Sequence, residues 1–88
     1  MTDESEALSS WLTGRLAKAA EPSRNPEEIQ LTDRLRDDLV IDSLAFLELM
    51  VDLEDVFGAR MDEGDLLLGG YETVDDLISR VRVHLGEN

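Results

Sequence analysis

Apolar residues recur near the start of the chain at the spacing of a helix, with Leu8, Trp11, Leu12, Leu16 and Ala19 on one side when wound at 3.6 residues per turn. The pattern predicts an amphipathic helix from about Glu4 to Ala20, in spite of Gly14. The segment "EPSRNPEE" ends it, because proline lacks the amide that a helix interior needs. A long connection to Asp42 follows, in which Ile29, Leu31, Leu35 and Leu39 can drop onto a core and "LTDRL" allows a short helical turn. A second helix is expected over Ser43 to Phe57, closed by Gly58 at a position suited to the left-handed C-cap. A brief third helical piece fits "DEGDLLL", cut off by Gly69 and Gly70. The last helix starts after Thr73, an N-cap type with Asp76 three residues on, and keeps Val74, Leu77, Ile78, Val81 and Leu85 in helical register. No segment alternates as a half-buried strand does. The expected fold is all-α: a small four-helix bundle of three main helices and one short helix, with a long first loop, over residues 1–88 as a single domain.

The second helix carries more apolar surface than a core contact requires. Counted from Ser43 as zero, Phe46, Leu49, Met50, Leu53, Val56 and Phe57 span about 220° to 340°, wide enough to be the buried stripe. Leu44, Leu47 and Val51 fall elsewhere, between about 40° and 100°, interleaved with Glu48, Glu54 and Asp55. An apolar strip rimmed by carboxylates suits a partner that carries apolar and basic groups. The plain structural alternative is that Leu44 and Leu47 pack under the long loop.

Charge sharpens this picture. Eight basic residues against 21 acidic ones give a net charge of −13, which disfavours nucleic-acid phosphates and anionic lipid and favours basic proteins. From Asp37 to Ala59 there are seven acidic side chains and no basic one. Acidity that merely keeps a small domain soluble is the alternative. The chain has no cysteine, so disulfides and thiolate metal sites are excluded and a reducing cytoplasm is compatible. "MTDESEALSS" lacks the basic and apolar regions of a signal peptide, and no apolar run approaches a membrane span. These features lead us to expect a soluble, cytoplasmic, monomeric protein.

Ser43 stands at the start of the two-faced helix, where serine or the preceding Asp42 can serve as N-cap. A hydrolytic nucleophile is disfavoured: the only histidine, His84, lies near the C-terminus and reads as a surface residue, and there is no "GxSxG" elbow. No metal site is expected, since the acidic residues lack calcium-loop spacing and a second histidine is missing. The glycines do not form a phosphate-binding loop.

"DSL" at Asp42 to Leu44, followed by "LEDVFG" at Leu53 to Gly58, resembles the acyl carrier proteins of fatty acid and polyketide synthesis. The similarity extends to length, acidity, helix order and the long first loop. It implies that the chain is a carrier rather than an enzyme. It also implies that Ser43 bears 4'-phosphopantetheine, attached from coenzyme A by a phosphopantetheinyl transferase that Asp42 helps to engage. On this resemblance, Leu44, Leu47 and Val51 become apolar contacts and Glu48, Glu54 and Asp55 charge guides for a ketosynthase, an acyltransferase or another acyl-handling enzyme. An apolar cargo is then expected between the second and third helices, against Phe46, Leu53, Phe57, Leu67 and Leu68.

Two positions depart from the family pattern: Val40 stands where many members have glycine, and Ala45 where many have an acidic or polar residue. They point away from housekeeping fatty acid synthesis towards a discrete carrier of a specialised bacterial pathway, such as polyketide assembly. A peptidyl carrier with aminoacyl cargo is the nearest alternative. An acidic helical adaptor without a prosthetic group is a third, which leaves Ser43 unexplained.

Overall fold

The computed structural model describes residues 4–85. It contains three α-helices: α1 over Glu4–Ala19, α2 over Ser43–Phe57 and α3 over Val74–His84. Among the described residues the only extended pairing is an isolated antiparallel bridge between Arg34 and Thr73. Leu8, Leu12 and Leu16 of α1, Phe46, Leu49, Met50 and Leu53 of α2, and Val74, Leu77, Ile78 and Val81 of α3 meet in one buried core. Trp11 and Phe57 close its edge in a T-shaped contact with centroids 5.7 Å apart.

Local chemistry sets the helix ends. The side chain of Asp42 accepts the Ala45 amide at 2.7 Å, and Gly58 takes the left-handed C-cap at φ 67°. At α3 the Thr73 hydroxyl accepts the Asp76 amide while the Asp76 carboxylate accepts the Thr73 amide. Backbone donation from Thr73 and then Glu72 holds the Asp76 carboxyl below the usual carboxylate range.

The long loop is anchored, although not by all the expected residues. Leu35 and Leu39 are buried, joined by Ile41, while Ile29 only packs against the core edge. Leu31 is exposed: its carbonyl accepts the Asp75 amide at 3.0 Å, which holds the segment against the start of α3 with the side chain outward. The Leu35 amide donates to Glu72 and the Val74 amide to Asp33, so the loop's second half is tied to the entrance of α3. "LTDRL" is turns around the Arg34 bridge; the one short 3-10 helix of this loop lies earlier, over Pro26–Glu28.

The expected short helix over "DEGDLLL" is instead two 3-10 turns, Glu63–Leu66 and Leu68–Gly70. A run closed so soon by Gly69 and Gly70 does not reach the length at which an α-helix repays its nucleation. Side-chain clamps hold these turns. His84 Nε2 lies 2.7 Å and Arg80 Nε 3.8 Å from the Asp65 carboxylate, and the Tyr71 hydroxyl donates to the Asp65 carbonyl at 2.8 Å. His84 is therefore a half-buried partner of Asp65 rather than a free surface residue. Val56, expected in the core stripe of α2, is exposed, because it lies at the stripe's angular edge in the last turn.

Tyr71, the only tyrosine, reports on this clamp. Burial first, then the Asp65 carboxylate against the opposing Arg80, pushes its phenol up to about 12. The folded state thus holds the phenolic proton more tightly than the unfolded chain, and that stabilisation is complete below pH 10.0 and lost as pH rises through about 12. Phenolate absorbance is expected to titrate well above pH 10.0 while the helices remain intact, and near 10.0 in denaturant. A midpoint near 10.0 in the folded protein would show that the ring is not enclosed.

Candidate functional site

Ser43 occupies the first helical position of α2, directly after the N-cap Asp42. Because the Asp42 carboxylate caps the helix, the Ser43 hydroxyl is released from that task; it is exposed and has no hydrogen-bond partner among the described residues. Of the two capping candidates in "DSL", the structure selects the aspartate. The first amides of α2 have no intrahelical acceptors and present the positive end of the helix dipole beside this hydroxyl, an environment that suits an anion.

The apolar strip on α2 faces outward rather than under the loop. Leu44 is 66% exposed, Val51 50% and Leu47 39%, so the packing alternative does not hold for these residues. Glu48 and Asp55 are exposed. Glu54 is not a free rim charge: half-buried, it accepts the Met61 amide at 2.9 Å and fastens the segment that follows Gly58. Asp52 is tied at 2.6 Å to Arg15, whose guanidinium also lies 5.1 Å from the centre of the Trp11 ring.

An apolar trough of about 520 Å³ begins at Ser43. One wall is Leu44 and Leu47; the other is Leu66, Leu67, Leu68 and Gly69 from the 3-10 turns. This lining differs from the cavity expected between the helices. Phe46 and Leu53 are sealed in the core and Phe57 packs on Trp11, so of the five residues expected to shield a cargo only Leu67 and Leu68 line the trough. Leu66 and Gly69 were missed because their role depends on how the turns sit against α2; the consecutive leucines before "GG" are the sequence signal that could have drawn attention to them. On another part of the surface, Asp62, Asp65 and His84 each bring one oxygen or nitrogen atom within 4.8 Å of the others. That convergence crosses from turn to helix and is invisible to sequence spacing.

The geometry fits a serine-linked prosthetic group: an exposed, unengaged hydroxyl, a helix start able to face a phosphate, and an apolar trough leading away from it. Comparison with known proteins agrees. Residues 10–81 match the phosphopantetheine attachment site family. The acyl carrier protein of Phytoplasma australiense is 36% identical over 63 residues, covering 72% of this chain and 80% of that protein. That of Thermotoga maritima is 39% identical over 62 residues, 68% of this chain and 74% of its own length. The meromycolate extension acyl carrier protein of Mycobacterium leprae is 36% identical over 63 residues, covering 72% of this chain and 53% of that protein. The chain belongs to the acyl carrier protein family, whose members are carriers rather than enzymes and whose prosthetic group is 4'-phosphopantetheine. Among the described residues, no helix is long and apolar enough to cross a membrane.

The division of labour inside "DSL" can be measured. Asp42→Ala is expected to lower stability by about 1 kcal/mol through loss of the cap, a drop of roughly 4–8 °C in Tm for a domain of this size. Ser43→Ala should leave the melting curve almost unchanged. Equal losses in the two variants would mean that both side chains hold the helix start.

Proposed function

We propose that the chain, acting as one carrier domain, holds acyl intermediates on a 4'-phosphopantetheine arm borne by Ser43. It presents them to acyl-handling enzymes of a bacterial polyketide or related fatty-acid-type pathway, working as a cytoplasmic monomer. The observation that carries this reading is the exposed Ser43 hydroxyl, unbonded because Asp42 is the cap, at the mouth of the apolar trough. When bound, the arm supplies a terminal thiol on which an acyl group rides as a thioester, a reactive group that this cysteine-free chain lacks.

The protein's own residues supply position and recognition. The α2 N-terminus favours the phosphodiester through its free amides and dipole. Leu44 and Leu47, facing Leu66, Leu67 and Leu68, offer an apolar surface over which a hydrocarbon chain leaves water, with a gain of up to about 0.8 kcal/mol per methylene fully buried. Exposed Leu44, Leu47 and Val51 provide contact for partner enzymes, and Glu48 and Asp55 steer basic docking surfaces towards Ser43. Glu54, engaged by Met61, contributes to the negative field mainly from a fixed position. Asp42 assists the phosphopantetheinyl transferase through the helix start that it holds in place. The mycobacterial relatives named for meromycolate extension support a fatty-acid-type cargo, and Val40 and Ala45 set this chain apart from many family members. The natural partners in this reading are a transferase, then a ketosynthase and an acyltransferase.

Incubation with coenzyme A and a broad-specificity phosphopantetheinyl transferase is expected to add one phosphopantetheinyl group by intact mass, and Ser43→Ala to prevent it while remaining helical. An unmodified wild-type protein, or modification that survives in the variant, would overturn the assignment of Ser43.

Steering is tested by comparing Glu48→Lys with Asp75→Lys at equal net charge. Asp75 lies in the first turn of α3, where the helix dipole accounts for its charge. Glu48→Lys is expected to raise the transferase KM by about three-fold at low salt and less at physiological salt, because rim charges act through screened attraction. Asp75→Lys should leave KM nearly unchanged. Equal increases would make bulk acidity the driver.

A further inference from the structure

Among the described residues, Val40 is the one non-glycine residue with a left-handed backbone, at φ 53°. A β-branched side chain is poorly suited to this region, where Cβ crowds the carbonyl oxygen that follows. The conformation is imposed from both sides. Leu39 and Ile41 are both buried. The Leu39 carbonyl accepts the Glu21 amide at 2.9 Å, its own amide donates to Arg34 at 3.0 Å, and the Ile41 amide donates to Leu35 at 3.0 Å. With both neighbours held on the core, Val40 is left 50% exposed. Glycine would take this turn without steric penalty, and a half-exposed valine recovers only part of its transfer free energy. Packing within the chain therefore gives no reason for valine here.

Position supplies one. Val40 lies two residues before the cap Asp42 and three before Ser43, in the loop that an enzyme reaching the Ser43 oxygen has to approach. Along the chain it extends the exposed apolar residues Leu44, Leu47 and Val51 back across the helix start. We propose that Val40 is a recognition contact whose isopropyl group, held outward by the strained backbone, docks in an apolar depression of the phosphopantetheinyl transferase that modifies Ser43. This rests on the reading of Ser43 as the attachment residue. A valine side chain has a single χ torsion, so fixing it at an interface costs little entropy. Backbone strain of this kind persists where the surrounding structure over-determines it, and such positions cluster at functional sites.

The test uses wild type, Val40→Gly and Val40→Asn with coenzyme A and a broad-specificity transferase, following modification by intact mass and stability by thermal melting. Both variants relieve the left-handed strain, since glycine and asparagine tolerate this conformation, and only glycine adds flexibility. Both are expected to melt higher by about 2–5 °C. Both should keep kcat and raise the transferase KM about five-fold through the lost apolar contact. If wild type is modified and neither variant changes KM, the Val40 contact is wrong while the Ser43 assignment stands. An increase in Val40→Gly that Val40→Asn does not share overturns it too, because loop flexibility and not the side chain would be responsible. A lower melting temperature in both variants would show that Val40 is held by packing, and overturns it as well. Failure of wild type to be modified at all would instead sink the reading of Ser43.

Discussion

Burial of Phe46, Leu49, Met50 and Leu53 fixes the rotation of α2 about its own axis, and the features around Ser43 follow from that rotation. Once this stripe is sealed against α1, α3 and the anchored loop, Leu44, Leu47 and Val51 have no core left to enter. Their exposure is a geometric consequence of a helix with two apolar sides in a domain that can cover only one. A rotation that buried Leu47 and Val51 would turn core residues into water, which the hydrophobic effect opposes at roughly 1.5–3 kcal/mol for each large side chain exposed.

Two carboxylates then arrange what the rotation leaves outside. Asp42 takes the capping bond at the start of α2, so the neighbouring Ser43 hydroxyl stays unengaged. Asp65 gathers His84 and Arg80 from α3 at its side chain and the Tyr71 hydroxyl at its carbonyl, which holds the 3-10 turns that form the second wall of the trough. Each selects one geometry among several that the apolar pattern allows.

The acidic surface is likewise not uniform in kind. Asp52 is neutralised by Arg15, Glu54 is bound to the Met61 amide, and Asp76 closes the capping box of α3. Glu48 and Asp55 remain exposed without partners among the described residues. A net charge of −13 thus resolves into carboxylates that build the fold and a smaller set left available to a field that a basic protein can sense.

What the sequence by itself determined were the features written within single elements: the start of α2 at Ser43, its end at Gly58, the Thr73 to Asp76 cap, the two apolar sides of α2, and the motif that places the chain among acyl carrier proteins. Helical period and capping involve residues three or four apart, so a linear reading contains the necessary information. Only the tertiary structure decided the rest. It turned Leu31 and Val56 outward, diverted Glu54 to Met61, joined His84 to Asp65, replaced a short helix by two turns whose leucines face α2, and held Val40 in a left-handed conformation between two buried neighbours. Most of these outcomes depend on contacts that the helical period does not specify, where the competition for a limited core and the direction of a loop are settled by packing and not by local propensity.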